Sequence, residues 1–404
     1  MKKILVIVMD GLGDGPNPEL GGRTALQAAY RPNLNYLASR GLNGLMFPVK
    51  EGVRSGSDTS HLSILGYDTF SVYTGRGPFE AMGLGMEVMP GDIAFRANFA
   101  YMNEDGIIED RRAGRISEST EQLCRAISLE IDGVKFMVKN GVEHRAALVM
   151  HGAGLSDRIT DSDPHVVGKS PENVRALAPE ADFTAEVLNK YLEKIRPILK
   201  THGYNKARTQ SGNLPATELL LRGAGKAPTL DSFPDKFGLK AGCVVGIPLI
   251  SGICRLAGID VVNYEGATGT VKTNYQGKIA AALRALETRD FVLVNIKAPD
   301  IAGHDGKPEL KRDVIQESDK AFGQIIPHLD NIVVAITGDH STPCSIKEHS
   351  GDPVPLLIAS DGMNRDGVSR YDEVSATRGS LRLKSTDLMD VLMSASDRSE
   401  KYGA

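Results

Sequence analysis

The sequence predicts an α/β protein in which a mostly parallel sheet flanked by helices carries a smaller inserted α+β domain. Three observations lead there. Short apolar runs rich in β-branched residues stand at Ile4–Val8, Phe291–Ile296, Ile332–Ile336 and Val354–Ile358, so the two ends of the chain share one texture. A helix-like stretch, 308–326, lies between two of these runs, which is the spacing of a right-handed crossover between parallel strands. The middle of the chain is different: polar, arginine-rich and loop-like. On that change of composition the expected division is 1–81 with 231–404 as the core and 82–230 as the insert.

The elements follow in order. Ile4–Val8 is a strand buried on both faces, followed by a glycine-rich loop at Gly11, Gly13 and Gly15. Residues 24–42 read as helical, with Pro32 at a break or a first turn. In the insert, a strand pair is expected around Phe136 and Ala147, and a helix over 185–199, where Val187, Leu188, Tyr191, Leu192, Ile195 and Leu199 follow the helical period. Residues 386–394 read as a closing helix.

Composition excludes several classes. With 41% hydrophobic and 24% charged residues in a chain of 404, neither disorder nor a fibrous repeat is indicated. The formal charge of -4 provides no positive field for nucleic acid or an anionic membrane. No stretch approaches the ~20 apolar residues of a membrane span, and the apolar start is cut short at Asp10, so no signal peptide is expected. Cys124, Cys243, Cys254 and Cys344 form no CxxC pair and read as buried, reduced thiols. The expectation is a soluble cytoplasmic protein acting on a small molecule. Two glycine-rich segments are decoys: Pro16 stands where GxGxxG needs its last glycine, and Ala227 stands where a P-loop needs Ser or Thr.

Four segments place possible metal ligands at strand ends or helix starts, where open α/β sheets bind ligands. Asp10 follows the first strand, and Ser57, read as a helix cap, opens Ser57-Asp58-Thr59-Ser60-His61. Asp300 and His304 follow the strand 291–296, and Asp339 and His340 follow 332–336 with His349 behind them. Singly, each has an ordinary structural explanation as a turn residue, a cap or a hydrogen-bonded histidine. Together, three carboxylates, three imidazoles and one hydroxyl at one sheet edge suit a pair of divalent ions. Without thiolates the set points to manganese first, with zinc, cobalt or magnesium as alternatives. Of the remaining histidines, His144, His151, His202 and His328 read as ordinary, and His165 as a substrate-side candidate.

These residues resemble the alkaline phosphatase superfamily of metalloenzymes and, within it, the cofactor-independent phosphoglycerate mutases of the archaeal type. The likeness spans nearly the whole chain. It is carried by Val8-Met9-Asp10-Gly11, Gly56-Ser57-Asp58-Thr59-Ser60-His61-Leu62, Lys297-Ala298-Pro299-Asp300-Ile301-Ala302-Gly303-His304, Thr337-Gly338-Asp339-His340-Ser341-Thr342-Pro343 and His349. Further matches lie at Gly75-Arg76-Gly77-Pro78-Phe79-Glu80-Ala81, Asp110-Arg111-Arg112-Ala113-Gly114-Arg115, Leu221-Arg222-Gly223-Ala224-Gly225 and Gly266-Ala267-Thr268-Gly269.

The resemblance implies an alkaline-phosphatase-like core and two divalent ions, one held by Asp10, Ser57, Asp339 and His340 and the other by Asp300, His304 and His349. It implies Ser57 as the phosphorylated nucleophile and, as activity, interconversion of 3-phosphoglycerate and 2-phosphoglycerate, a glycolytic and gluconeogenic step. A small phosphorylated hydroxy acid is then the partner, and a homo-oligomer is compatible with it. Binding its carboxylate and phosphate calls for guanidinium groups, and Arg112, Arg115, Arg158 and Arg222, with His61, are the substrate-side candidates. The rival readings are a phosphomonoesterase or phosphodiesterase on the same scaffold, and a non-catalytic metal-binding protein.

Overall fold

The run after Lys3 forms a strand, Lys3–Met9, in which every side chain from Ile4 to Met9 is fully buried. It lies parallel to Phe291–Ile296 on one side and Ile332–Thr337 on the other. In the computed structural model, which describes residues 1–401 and 403, this strand is fourth in a sheet of eight. The order across the sheet is Asp260–Val261, Ala241–Val244, Phe291–Ile296, Lys3–Met9, Ile332–Thr337, Val354–Ala359, Gly41–Phe47 and Leu381–Lys384. The chain divides into two compact units: Met1–Val72 with Leu230–Ala404, which holds this sheet, and Tyr73–Thr229.

The α/β class and the mostly parallel sheet are as expected, with one strand reversed. Val354–Ala359 runs antiparallel to both Ile332–Thr337 and Gly41–Phe47. A parallel return needs a crossover, usually helical, and residues 338–353 form no helix among the described residues. The other departure lies at 24–42. Thr24 caps a short helix, Ala25–Ala28, through a reciprocal pair of bonds with Gln27, and Pro32 opens a second, Pro32–Ala38. The chain then enters the strand Gly41–Phe47 instead of remaining helical to Leu42. Gly41 and Gly44 permit this, since a Cβ there would lie 1.9 Å from the Ile358 carbonyl oxygen and 1.8 Å from that of Leu381. The predicted helix after Pro308 ends at Phe322, and the closing helix is Leu388–Ala395. The core packs Leu5, Ile7 and Met9 with Val292, Val294, Val334 and Ile336 against helix residues such as Leu34, Ile279, Ile315 and Phe322.

The second unit is built on a six-stranded antiparallel sheet. Its expected strand pair is Val134–Asn140 against Arg145–His151, with Lys139 opposite Ala147. The helix Asp182–Thr201 covers the sheet and exceeds the expected 185–199 at both ends, with the six apolar positions named above buried. Tyr191 stacks on Phe136 with ring centroids 4.1 Å apart, and its hydroxyl donates to the Ile127 carbonyl at 3.0 Å. The helix Gly77–Gly83 packs on the strand Ile93–Met102 so closely that a Cβ at Gly77 would sit 2.0 Å from the Ala94 carbonyl oxygen. All four cysteines are free and buried. No helix among the described residues is long and apolar enough to cross a membrane.

Candidate active site

Three adjacent parallel strands end at one edge of the first unit's sheet, and each delivers a ligand-type residue there. Asp10 follows Met9, Asp339 and His340 follow Thr337, and Asp300 and His304 sit on the short helix Ala298–His304 after Ile296. The loop after the first strand lies hard against this helix. Gly11 adopts φ +64, and a Cβ there would fall 2.7 Å from both Asp300 Cα and Thr342 Oγ1. Its N–H donates to Asp339 Oδ1 at 2.9 Å. Ser57 is the first residue of the helix Ser57–Ile64 rather than its cap, a role taken by Gly56. The serine hydroxyl is therefore not consumed in capping, which corrects the sequence reading.

Around Ser57 Oγ stand His340 Nε2 at 3.1 Å, Lys297 Nζ at 3.2 Å and Asp10 Oδ1 at 3.4 Å. Lys297, at the head of the Asp300 motif, joins the residues expected from the sequence. Its ammonium also meets Asp10 Oδ1 at 2.8 Å and Asp300 Oδ2 at 2.7 Å. Burial works against that charge, but Asp10, Asp300 and Asp339 outweigh it and raise the pKa above the usual lysine value. Burial likewise opposes ionisation of Asp300, yet Lys297 and the neighbouring imidazoles hold its carboxyl below the usual range. Asp339 goes the other way: burial and the Asp10 charge push its pKa up to about 7. Burial lowers His340 to about 4 and also lowers His349.

Proton accounting shows that these residues suit cations. His304 Nδ1 lies 3.0 Å from the Lys347 carbonyl oxygen and His349 Nδ1 lies 2.7 Å from that of Ser55, so each Nδ1 carries the hydrogen and donates. Both Nε2 atoms are then lone pairs, and they face each other at 3.2 Å with Asp300 Oδ1 3.5 and 3.6 Å away. Asp339 Oδ2 is buried without a hydrogen-bond partner. Three sets bring ligand atoms within 4.8 Å of one another: Asp10, Asp339 and His340; Asp300, His340 and His349; and His304, Glu348 and His349. Glu348 is an addition to the expected set, and His340 stands with residues of both expected groups. Converging lone pairs and an orphaned carboxylate oxygen are what a divalent cation satisfies.

His61 is fully buried and reaches no solvent. Its Nδ1 donates to the Ser57 carbonyl at 2.7 Å, and its Nε2 accepts from Asn295 Nδ2 at 3.2 Å. Asn295 Nδ2 also donates to Asp10 Oδ2 at 3.0 Å. His61 thus supports the Ser57 backbone, with no surface open to a substrate.

The second unit contains a polar cavity of about 410 Å³ lined by Arg96, Asn98, Arg111, Arg112, Arg115, Glu143, His144, Arg145 and Arg222. It gathers Arg112, Arg115 and Arg222, as the sequence suggested, and adds Arg96, Arg111 and Arg145. Arg158 is exposed and is not among the lining residues. Strand register explains Arg96 and Arg145, since Arg96 pairs with Arg222 and Asn98 with Arg145 across neighbouring strands. Arg111 binds Asp163 through two hydrogen bonds, at 2.6 and 3.1 Å. His144 lines this cavity, contrary to its reading as an ordinary histidine. Burial and the charges of Arg145, Arg112 and Arg96 lower its pKa to about 4.

Comparison with known proteins finds relatives over the whole chain. A family model described as 2,3-bisphosphoglycerate-independent phosphoglycerate mutase matches residues 38–205. Over its full 404 residues the chain is 56% identical to a 2,3-bisphosphoglycerate-independent phosphoglycerate mutase of Thermoplasma volcanium, covering 99% of it. It is 54% identical to the one of Picrophilus torridus, covering all of it. The solved cofactor-independent phosphoglycerate mutase of Thermoplasma acidophilum matches with a TM-score of 0.75 and 50% identity, over 98% of this chain and 100% of that one. A solved protein of Pyrococcus horikoshii matches with a TM-score of 0.88 and 38% identity, over 100% and 99%.

Proposed function

The chain belongs to the 2,3-bisphosphoglycerate-independent phosphoglycerate mutases, and from that premise we propose that it interconverts 3-phosphoglycerate and 2-phosphoglycerate through a phosphoserine on Ser57. An enzyme of this family is an isomerase. The observation that carries the proposed route is the convergence of His340, Lys297 and Asp10 on Ser57 Oγ at the first residue of a helix.

A serine hydroxyl needs a proton acceptor and a stabiliser of the developing oxyanion. Without a cation His340 Nε2 is placed to accept the Ser57 hydrogen; with one bound that lone pair would be its ligand, and Lys297 Nζ, donating to Oγ, favours the alkoxide. The helix N-terminus adds its positive end. Attack in line forms the Oγ–P bond and breaks the bond from phosphorus to the glycerate oxygen, which leaves as an alkoxide and takes up a proton. The phosphoryl group then passes to the other hydroxyl of the retained glycerate, Ser57 is regenerated, and atoms and charge balance over the cycle. Asp10, Ser57, Asp339 and His340 would hold one divalent cation, and Asp300, His304 and His349 a second, with manganese the first choice. Such cations neutralise charge on the transferring phosphoryl oxygens and lower the pKa of a coordinated hydroxyl.

The arginine cavity of the second unit has the guanidiniums that binding of a small carboxylate- and phosphate-bearing anion calls for. Retention of the glycerate separates isomerisation from hydrolysis, because water is the competing acceptor. A coupled assay of 2-phosphoglycerate formation tests the reading, with manganese present, bisphosphoglycerate absent and inorganic phosphate followed in parallel. Isomer without phosphate release, abolished by chelator, is the expected result. Phosphate release without isomer would leave a hydrolase on the same scaffold.

A further inference from the structure

We propose that Thr342 is a positioning residue whose hydroxyl fixes the tautomer of His340 and joins the two ligand groups into one unit. The inference rests on the reading of these residues as cation ligands. Thr342 Oγ1 lies 2.8 Å from Asp300 Oδ1 and 3.1 Å from His340 Nδ1, so a single hydroxyl touches one residue from each group. It carries one hydrogen. The Asp300 carboxylate, ion-paired with Lys297 at 2.7 Å, only accepts, so the hydrogen goes to Asp300. The hydroxyl oxygen must then accept from His340, which places the imidazole hydrogen on Nδ1. The His340 Nε2 lone pair therefore faces Ser57 Oγ at 3.1 Å.

The result is a chain of donors in one direction, from Ser57 to His340 to Thr342 to Asp300, ending on a carboxylate. Without the hydroxyl, His340 could place its hydrogen on either nitrogen, and the form with hydrogen on Nε2 can neither accept from Ser57 nor bind a cation there. The backbone of Thr342 is correspondingly fixed. The fully buried Lys311 donates to the carbonyl oxygens of Thr342 and Gly13, both at 2.9 Å. A Cβ on Gly303 would lie 2.4 Å from the Thr342 carbonyl oxygen, so the helix bearing Asp300 meets this residue with no space between them.

The test uses the full chain and two readouts independent of turnover. Two-bond proton–nitrogen spectra of the metal-free wild type, with His340 assigned by its loss in His340→Asn, should show hydrogen on Nδ1. Hydrogen on Nε2 overturns the proposal whatever the variants do. Calorimetric titration with manganese chloride should show both binding events at least ~10-fold weaker in Thr342→Val and within ~3-fold of wild type in Thr342→Ser. Thr342→Val with unchanged affinities overturns the inference, as does Thr342→Ser failing equally, which would assign the effect to the methyl group. If Thr342→Val does not fold, the wild-type tautomer and Thr342→Ser decide. A wild type that binds no manganese would sink the cation reading separately, and a wild type that binds it but does not isomerise would sink only the proposed route.

Discussion

The ligand cluster of the first unit and the arginine cavity of the second solve opposite electrostatic problems with opposite tools. The cluster converges acceptors: buried carboxylates and imidazole lone pairs around an orphaned oxygen, with Lys297 as the cation among them. The cavity converges donors, with six guanidiniums and a histidine held neutral by burial and their field. Each arrangement is unfavourable when nothing complementary is bound. One therefore suits cations and the other an anion with several oxygens. Their construction differs too, since the cluster comes from neighbouring strand ends and the cavity from side-by-side positions on antiparallel strands together with the loops that carry Arg111, Arg112, Arg115 and His144.

The largest expected effect separates chemistry from binding. Ser57→Ala should lower isomerisation by at least about 10,000-fold, while calorimetry still shows 3-phosphoglycerate binding and manganese uptake. Loss of 3-phosphoglycerate binding in this variant would mean that the two regions are not separable. Removal of metal is next: dialysis against chelator should abolish turnover, manganese should restore it, and binding of the substrate anion to the arginines should persist. A smaller effect distinguishes among the arginines. Arg222→Ala and Arg112→Ala should each raise KM by ~10- to 100-fold, since a charge-assisted hydrogen bond contributes about 1.5–3 kcal/mol, whereas Arg158→Ala should remain within ~2-fold. Equal effects at Arg158 and Arg222 would break the assignment of the cavity.

The smallest effect is on stability against pH. Asp339 titrates near 7 in the folded chain against 3.8 ordinarily, so between these values the native state keeps a proton that the unfolded chain has lost. Its contribution falls as pH rises through that window. His340 and His144, lowered to about 4 from 6.5, act in the opposite sense, and their contribution is complete above about 6.5. The Tm of the metal-free protein should thus decline from about pH 6.5 to 8, by an amount set by about 1.4 kcal/mol per pH unit for one titrating group. Saturating manganese should remove the Asp339 part of the decline. Glu373, pushed up to about 7 by burial, accounts for a part that manganese leaves unchanged. A decline identical with and without manganese would show that Asp339 is not a ligand.

Legibility in the sequence follows the same contrast. Asp10, Asp300, Asp339 and His340 stand directly behind continuous apolar runs, so strand prediction alone brings them to one edge. Lys297 and Thr342 stand inside the same motifs, but a lysine or threonine at a strand end has many structural uses. Only distances reveal that both touch Asp300. In the cavity, Arg96 and Arg145 look like surface charges on alternating strands, and only register shows that they converge with Arg222. Arg158 has the right chemistry but lies outside the convergence. The reversed strand was unreadable for a related reason. An apolar run states its burial and not its direction, which depends on whether the connection before it can cross over.

That reversed strand completes the site in its own way. Because Val354–Ala359 turns back beside Ile332–Thr337, the intervening residues leave and rejoin the sheet at one edge, and His349 hangs on that excursion. His349 and its neighbour His304 have side chains 19% and 37% exposed, whereas Asp10, Asp339 and His340 are at 0%. The histidine pair thus gives solvent its way to the cluster, while the carboxylates and His340 behind it are sealed from it.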